Sequence, residues 1–118
     1  MSALNQLPQN IQEKLNRLQQ LQSTLQQLVL QKQRLDIERS ESERALKLLD
    51  SVASDKKVYK SAGAILVEKD KGDVIKELKE RLEFLEMRAK VLTKQEGNAR
   101  ERLTGLQESL QQELKLGA

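Results

Sequence analysis

Apolar residues, mostly leucine, recur in a seven-residue frame through two long stretches of the chain. In each stretch, two positions of the seven-residue frame form an apolar seam. These seam positions are apolar at ten of fourteen sites in the first stretch and at ten of twelve in the second. The first stretch has its registers at Leu4, Ile11, Leu18, Leu25, Lys32, Arg39 and Leu46, and at Leu7, Lys14, Leu21, Leu28, Leu35, Ser42 and Leu49. The second has them at Ile75, Leu82, Ala89, Glu96, Leu103 and Leu110, and at Leu78, Leu85, Leu92, Ala99, Leu106 and Glu113. A 3.5-residue apolar period keeps one seam of a helix turned toward a partner helix, so the pattern predicts a coiled coil.

The first helix is predicted over residues 8–50. Pro8 suits the first position of a helix because its φ is fixed and it has no N–H to leave unpaired. Asn10 with Glu13 offers an alternative start that resembles a capping box. A second helix of similar length is predicted over 73–116, with Asp73 as its N-cap. Since the connection between them is short, we expect the two helices to pair antiparallel.

The segment between the helices, residues 57–69, changes period and predicts a β-hairpin. Its expected strands are Lys57–Lys60 and Ala64–Glu68, joined by a turn in which Gly63 takes positive φ. The second strand is apolar at successive positions, and an isolated hairpin is only marginally stable in water. We therefore expect hairpins from several chains to assemble, and we predict one mostly α domain over 1–118: a long two-helix coiled coil with one β-hairpin between the helices.

The composition argues against an enzyme. Aromatic residues make up 2% of the chain and charged residues 33%, as in long helical proteins, and there is no Cys, His or Trp. Disulfides, Cys or His metal ligands and a histidine base are therefore excluded. A narrow coiled-coil seam also encloses no cleft for the acidic side chains. We predict no catalytic residue, no metal site and no cofactor.

The net charge of +3 comes from basic and acidic residues that are interspersed along the chain. The basic pI, about 9.2, is the only feature that favours nucleic-acid binding, and aromatic stacking residues and a basic block are both lacking. The sequence has neither a signal-peptide pattern nor an apolar run of transmembrane length. We expect a soluble, cytoplasmic protein that binds neither nucleic acid nor membrane.

The run VYKSAGAILV, Val58 to Val67, set between the two heptad helices, resembles the β class of the prefoldin family. That class has a V-Y-K-x-x-G-x-x-L-V core, and every fixed position is filled in this sequence. The glutamine-rich segment from Gln6 to Gln33 is also similar to this family. The other prefoldin class has two hairpins, whereas only one is predicted here. Ser61–Ala62 departs from the bulkier apolar pair that is common in the family.

The resemblance implies a hetero-hexamer of two α-class and four β-class subunits, held together by a platform of hairpins. It further implies an ATP-independent holdase that captures unfolded client polypeptides at the coiled-coil tips and delivers them to a group II chaperonin. The implied oligomerisation residues are Val58, Tyr59, Gly63, Ile65, Leu66 and Val67. The implied client-binding residues are Leu4, Leu7, Ile11, Leu110, Leu114 and Leu116.

Three alternatives remain open from the sequence. The client-binding residues can instead be ordinary packing at the end of a coil. An off-seam stripe of Phe84, Met87 and Val91 is either a packing surface or a second lining that touches clients. The whole chain can also be a structural coiled-coil spacer or adaptor without chaperone activity.

Overall fold

The structure, a computed structural model, describes residues 7–116, and for Leu116 only the backbone. Its elements are α1 (Gln9–Asp50), β1 (Val58–Ala62), β2 (Ile65–Lys69) and α2 (Lys71–Leu116). The two strands form one antiparallel hairpin. The predicted fold class, two long helices with one β-hairpin between them, is confirmed.

The first helix begins at Gln9, directly after the proline. The Pro8 carbonyl accepts hydrogen bonds from the N–H groups of Ile11 at 3.0 Å and Gln12 at 3.1 Å. The Gln12 side chain also donates to the Leu7 carbonyl at 2.8 Å. These bonds satisfy backbone groups that a helix start leaves without intrahelical partners. The alternative start at Asn10 is not adopted, because Asn10 already lies inside the helix.

Helix α2 begins at Lys71, two residues before the predicted start, and the prediction of Asp73 as its N-cap was wrong. Asp70 is the cap: its Oδ2 accepts the N–H of Asp73 at 3.2 Å, and its carbonyl accepts the N–H of Val74 at 3.1 Å. An Asp side chain placed three residues before a free N–H is the usual geometry of an N-cap. Gly72 is therefore accommodated in the first turn of the helix.

The hairpin turn is shorter than the sequence suggested. The strands pair from Val58 with Lys69 through Ala62 with Ile65, which leaves only Gly63 and Ala64 in the turn. Gly63 has φ of 62°, and among the described residues no other residue type has positive φ. A glycine at the first of two turn positions matches the type II′ hairpin turn, whose twist suits the flanking strands. The prediction that Ser61 and Ala62 lie in the turn was wrong, since both pair within β1.

The chain forms two compact units, each containing a segment of both helices. The tip unit comprises the described residues of 1–32 and 91–118, and the hairpin unit comprises 33–90. In the tip unit Lys14 pairs with Glu113 and Lys32 with Glu96, so that α1 and α2 run antiparallel there. In the hairpin unit Arg81 of α2 pairs with Glu38 of α1.

The core of both units is the heptad seam. Every buried side chain among the described residues occupies a seam position, and no seam position from Leu7 to Glu113 is exposed. The buried seam residues of the tip unit are Ile11, Leu92, Ala99 and Leu110, and those of the hairpin unit are Leu35, Ser42, Leu49 and Leu85. The interface between two paired helices is narrow, so only these few side chains are buried.

Candidate functional surfaces

The hairpin exposes apolar side chains on both of its faces. Strand register places Tyr59 and Leu66 on one face and Ile65 and Val67 on the other, because successive side chains alternate. Tyr59 is 53% exposed, Ile65 63% and Leu66 70%. Of the predicted oligomerisation residues, Val58 is half-buried and Val67 is 37% exposed. Full burial of a side chain of this size stabilises by about 1.5–3 kcal/mol. Covering these side chains with another protein surface would therefore stabilise an assembly.

The hairpin also has unpaired backbone edges. In the described part of the chain the sheet contains only two strands, so each strand has one edge without a β partner. Such edges present unpaired N–H and C=O groups that can extend a sheet into another chain. The apolar faces and the open edges together form one surface able to join a larger sheet.

An apolar groove of about 580 Å³ lies where β1 meets the two helices of the hairpin unit. Ala45, Leu49, Val74 and Leu78 contribute to its walls, and Tyr59 lies at its strand side. The ion pair of Lys60 with Glu77, at 3.2 Å, borders it. The groove extends the apolar surface of the hairpin onto the helices.

The residues predicted to bind clients are not equally accessible. Leu4 lies outside the described residues, and the side chain of Leu116 is not described. Leu114 is 50% exposed and Leu7 is half-buried. Ile11 and Leu110, in contrast, are only 8% and 5% exposed, because they pack in the seam. The structure thus brings Ile11 and Leu110 into the closed coil rather than onto its surface.

A polar layer lies between Ile11 and Leu110 in the seam, because the pairing of Lys14 with Glu113 leaves Ile11 toward the helix ends and Leu110 toward the interior. Lys14 Nζ donates to Ser109 Oγ at 2.9 Å and to Glu113 Oε1. The Lys14 and Glu113 side chains are mostly covered, and the other carboxylate oxygen of Glu113, Oε2, is buried with no partner among the described residues. Reading the sequence alone did not pair these residues, although opposite charges at seam positions of two antiparallel helices were the available signal.

A second ion pair occupies the seam further along the same helices. Lys32 Nζ lies 3.4 Å from Glu96 Oε2, and Arg100 donates to the other carboxylate oxygen of Glu96 at 2.9 Å. The hydrogen bond from Arg100, together with Lys32, holds the pKa of Glu96 below its usual range. The pair therefore contributes to stability at neutral pH and loses that contribution only as the pH falls through the lowered pKa.

The off-seam stripe is exposed throughout. Phe84, Met87 and Val91 all face solvent, and the Arg81 guanidinium lies 5.3 Å from the centre of the Phe84 ring. A cation over an aromatic face is a favourable contact in itself. Exposure suits both a packing surface and a surface that touches clients, so both interpretations of this stripe stay hypotheses.

Two further observations limit the chemistry. Among residues 7–116, no group of three or more acidic side chains is placed so that it could hold a metal ion. In the same part of the chain, neither helix contains a stretch apolar and long enough to span a lipid bilayer.

The family model for the prefoldin subunit matches residues 12–116 of this chain. The chain belongs to the prefoldin family. The prefoldin subunit beta of Pyrobaculum neutrophilum is 40% identical over 92% of this chain and 86% of its own length. The corresponding protein of Archaeoglobus fulgidus is 41% identical over 92% of this chain and 93% of its own length.

Solved prefoldin structures agree with this assignment. The crystal structure of the prefoldin beta subunit from Thermococcus strain KS-1 matches with a TM-score of 0.80 and 36% identity, covering 91% of this chain and 94% of that one. The prefoldin beta2 subunit of the same strain matches with a TM-score of 0.67 and 27% identity, over 75% and 95% of the two chains. These matches confirm the β class that the hairpin sequence predicted. As a β-class subunit the chain is part of a prefoldin chaperone, which implies that it assembles with other prefoldin subunits.

Proposed function

We propose that this chain is the β-class subunit of an ATP-independent holdase, in which its hairpin joins other prefoldin subunits and its tip captures unfolded polypeptides. The proposed complex contains two α-class and four β-class subunits, works in the cytoplasm and passes its clients to a group II chaperonin. Membership of the prefoldin family supports the chaperone role, and the exposed hairpin supports the route of assembly.

The observation that carries the assembly half of the proposal is the exposure of apolar side chains on both hairpin faces. Ile65 on one face and Leu66 on the other are 63% and 70% exposed within the described residues. A hairpin that packed only on its own helices would leave at most one face open. Neighbouring hairpins can cover both faces and pair the free strand edges at the same time.

The tip provides the apolar surface for capture. Leu7 and Leu114 are already accessible, and Ile11 and Leu110 lie directly beside them in the seam. Contacts of this kind are non-directional, since apolar burial needs no matching sequence in the partner. Several coiled coils of one complex can contact the same polypeptide at once, so that weak individual contacts together give tight binding.

An aggregation assay tests the capture site directly. The chain is assembled with its α-class partner, and light scattering of a chemically denatured client is followed without nucleotide. The double variant Leu7→Ser with Leu114→Ser changes only the outermost described seam position and keeps the Lys14–Glu113 pair intact. We expect it to assemble normally and to lose roughly tenfold in protective potency, because each arm loses two accessible apolar contacts.

The matched control is Leu30→Ser, which changes an exposed leucine on the outer face of α1 in the same unit. It should protect the client as the unchanged protein does. If the Leu7 and Leu114 variant protects as well as the unchanged protein, the tip is not the capture site. If no version of the complex suppresses aggregation, the chain is a structural spacer instead.

A further inference from the structure

Two of the residues best suited to hold a client are hidden in the structure. Ile11 and Leu110 lie on either side of the Lys14–Glu113 pair, Ile11 toward the helix ends and Leu110 toward the interior, and both are buried in the seam between α1 and α2. A buried side chain cannot contact an external polypeptide while the helices stay paired. Use of these two side chains for capture therefore requires the tip of the coil to open.

The layer next to them is polar and incompletely satisfied. Lys14 joins Ser109 and Glu113 across the seam, while Glu113 Oε2 is buried without a partner among the described residues. A buried carboxylate oxygen without a hydrogen bond carries a desolvation cost that opening to water removes. An ion pair that is largely removed from water also adds little net stability relative to well-packed apolar residues.

An open groove of about 500 Å³ lies beside the seam just inside the polar layer, lined by Arg17, Leu21, Gly105, Leu106 and Ser109, together with Arg102. Gly105 is exposed and has no side chain to cover this groove. The polar contacts of Lys14, together with the buried side chains of Ile11 and Leu110 on either side of them, hold this end of the coil closed.

We propose that Lys14, Ser109 and Glu113 form a clasp that sets how often the tip opens, and thereby how strongly the subunit binds a client. This proposal rests on the proposed function, since it takes the tip as the capture site. It makes Lys14 and Glu113 positioning residues, because they act through Ile11 and Leu110 rather than by touching the client. Apparent client affinity then scales with the open fraction of the tip.

Charge variants in the assembled complex test the clasp. Replacing Lys14→Met together with Glu113→Leu turns the polar layer apolar, and we expect hydrogen exchange of backbone amides in residues 9–16 to slow about tenfold. Lys14→Glu sets two carboxylates against each other and should accelerate the same exchange. The swap of Lys14→Glu with Glu113→Lys restores an attractive pair and should return exchange toward the original rate.

Client binding is measured on the same variants. The probe is a reduced and alkylated polypeptide that cannot refold, titrated by fluorescence anisotropy. Its apparent Kd should rise by the same factor by which tip exchange slows, fall for Lys14→Glu, and recover in the swap. A purely structural role for Lys14 would not make affinity increase when the ion pair is broken.

Lys32→Met with Glu96→Leu is the matched control, since it removes the same kind of seam pair further along the same helices. It should leave the exchange of residues 9–16 and the apparent Kd unchanged. Unchanged tip exchange in the Lys14→Met, Glu113→Leu variant would overturn the clasp. Slower exchange without weaker binding would overturn it too, because capture would then need no opening.

The outcomes that would overturn the clasp can be told apart from those that would overturn the proposed function. The Leu7→Ser, Leu114→Ser variant addresses whether the tip binds clients at all. If that variant binds the probe normally, the proposed capture site is wrong and the clasp proposal is wrong with it. If that variant loses binding while the clasp variants bind like the unchanged protein, only the clasp is wrong.

Discussion

The hairpin and the tip both carry apolar side chains, but they hold them in opposite ways. In the hairpin Ile65 and Leu66 are mostly exposed, whereas in the tip Ile11 and Leu110 are buried on either side of an ion pair. An apolar surface that is always open suits a permanent interface, because it stays covered once the partner has bound. A closed surface that opens at modest cost suits repeated capture and release.

Backbone structure explains the contrast. A two-stranded hairpin has two faces and two free edges, so it cannot cover its own side chains. A pair of helices covers its apolar stripe with the opposite stripe. The same residue types therefore end up exposed in one unit and buried in the other.

The largest expected effect comes from placing charged side chains on the apolar surface of the hairpin. Ile65→Lys combined with Val67→Lys places two charges on one hairpin face, where burial against another subunit would leave them without partners. The complex should dissociate into protomers that keep most of their helical circular dichroism. Sedimentation velocity measures the size, and circular dichroism shows whether the helices remain.

Ile37→Lys serves as its control, because Ile37 is an equally exposed apolar residue on the outer face of α1. That variant should keep the size of the unchanged complex. A complex of unchanged size with both Ile65 and Val67 replaced would mean that the hairpin is not the permanent interface.

A smaller effect distinguishes the interior of the seam from its end. Leu92→Ala removes a buried leucine and should lower the free energy of unfolding by about 2–4 kcal/mol, as for other large-to-small changes in a core. Ile11→Ala should cost less than about 1 kcal/mol, because local opening of the tip already exposes that side chain in part of the population. Chemical denaturation monitored by circular dichroism measures both values. Equal losses would contradict the view that the tip is weakly closed.

The sequence predicted the seam well because heptad periodicity is a local signal. Each buried side chain described falls on a predicted register, and the polar seam residues Lys14 and Glu113 lie on it too. The sequence left open whether Ile11 and Leu110 bind clients or pack at the end of the coil, since it places them at the seam without showing how far the pairing extends. Whether an apolar residue is exposed or buried depends on its packing and not on its residue type.

Local capping and turn geometry were the weaker part of the prediction. Asp70 and Asp73 both suit an N-cap, and the structure has the cap at Asp70, directly after β2 ends at Lys69. In the hairpin, Gly63 was correctly expected to take positive φ, but strand pairing of Ser61 and Ala62 shortened the turn to two residues. The sequence alone does not distinguish a two-residue turn from a longer one when small residues precede the glycine.

Hydrogen exchange of the assembled complex, with and without an unfolded client, tests the contrast between the two surfaces most directly. Amides of residues 58–69 should be strongly protected in both states, since their surface is permanently covered by other subunits. Amides of residues 9–16 should exchange quickly in the free complex and slow several-fold when client is bound, because the client occupies the opened tip. Slow exchange of the free tip that client does not change, or hairpin amides that become protected only with client, would contradict the account.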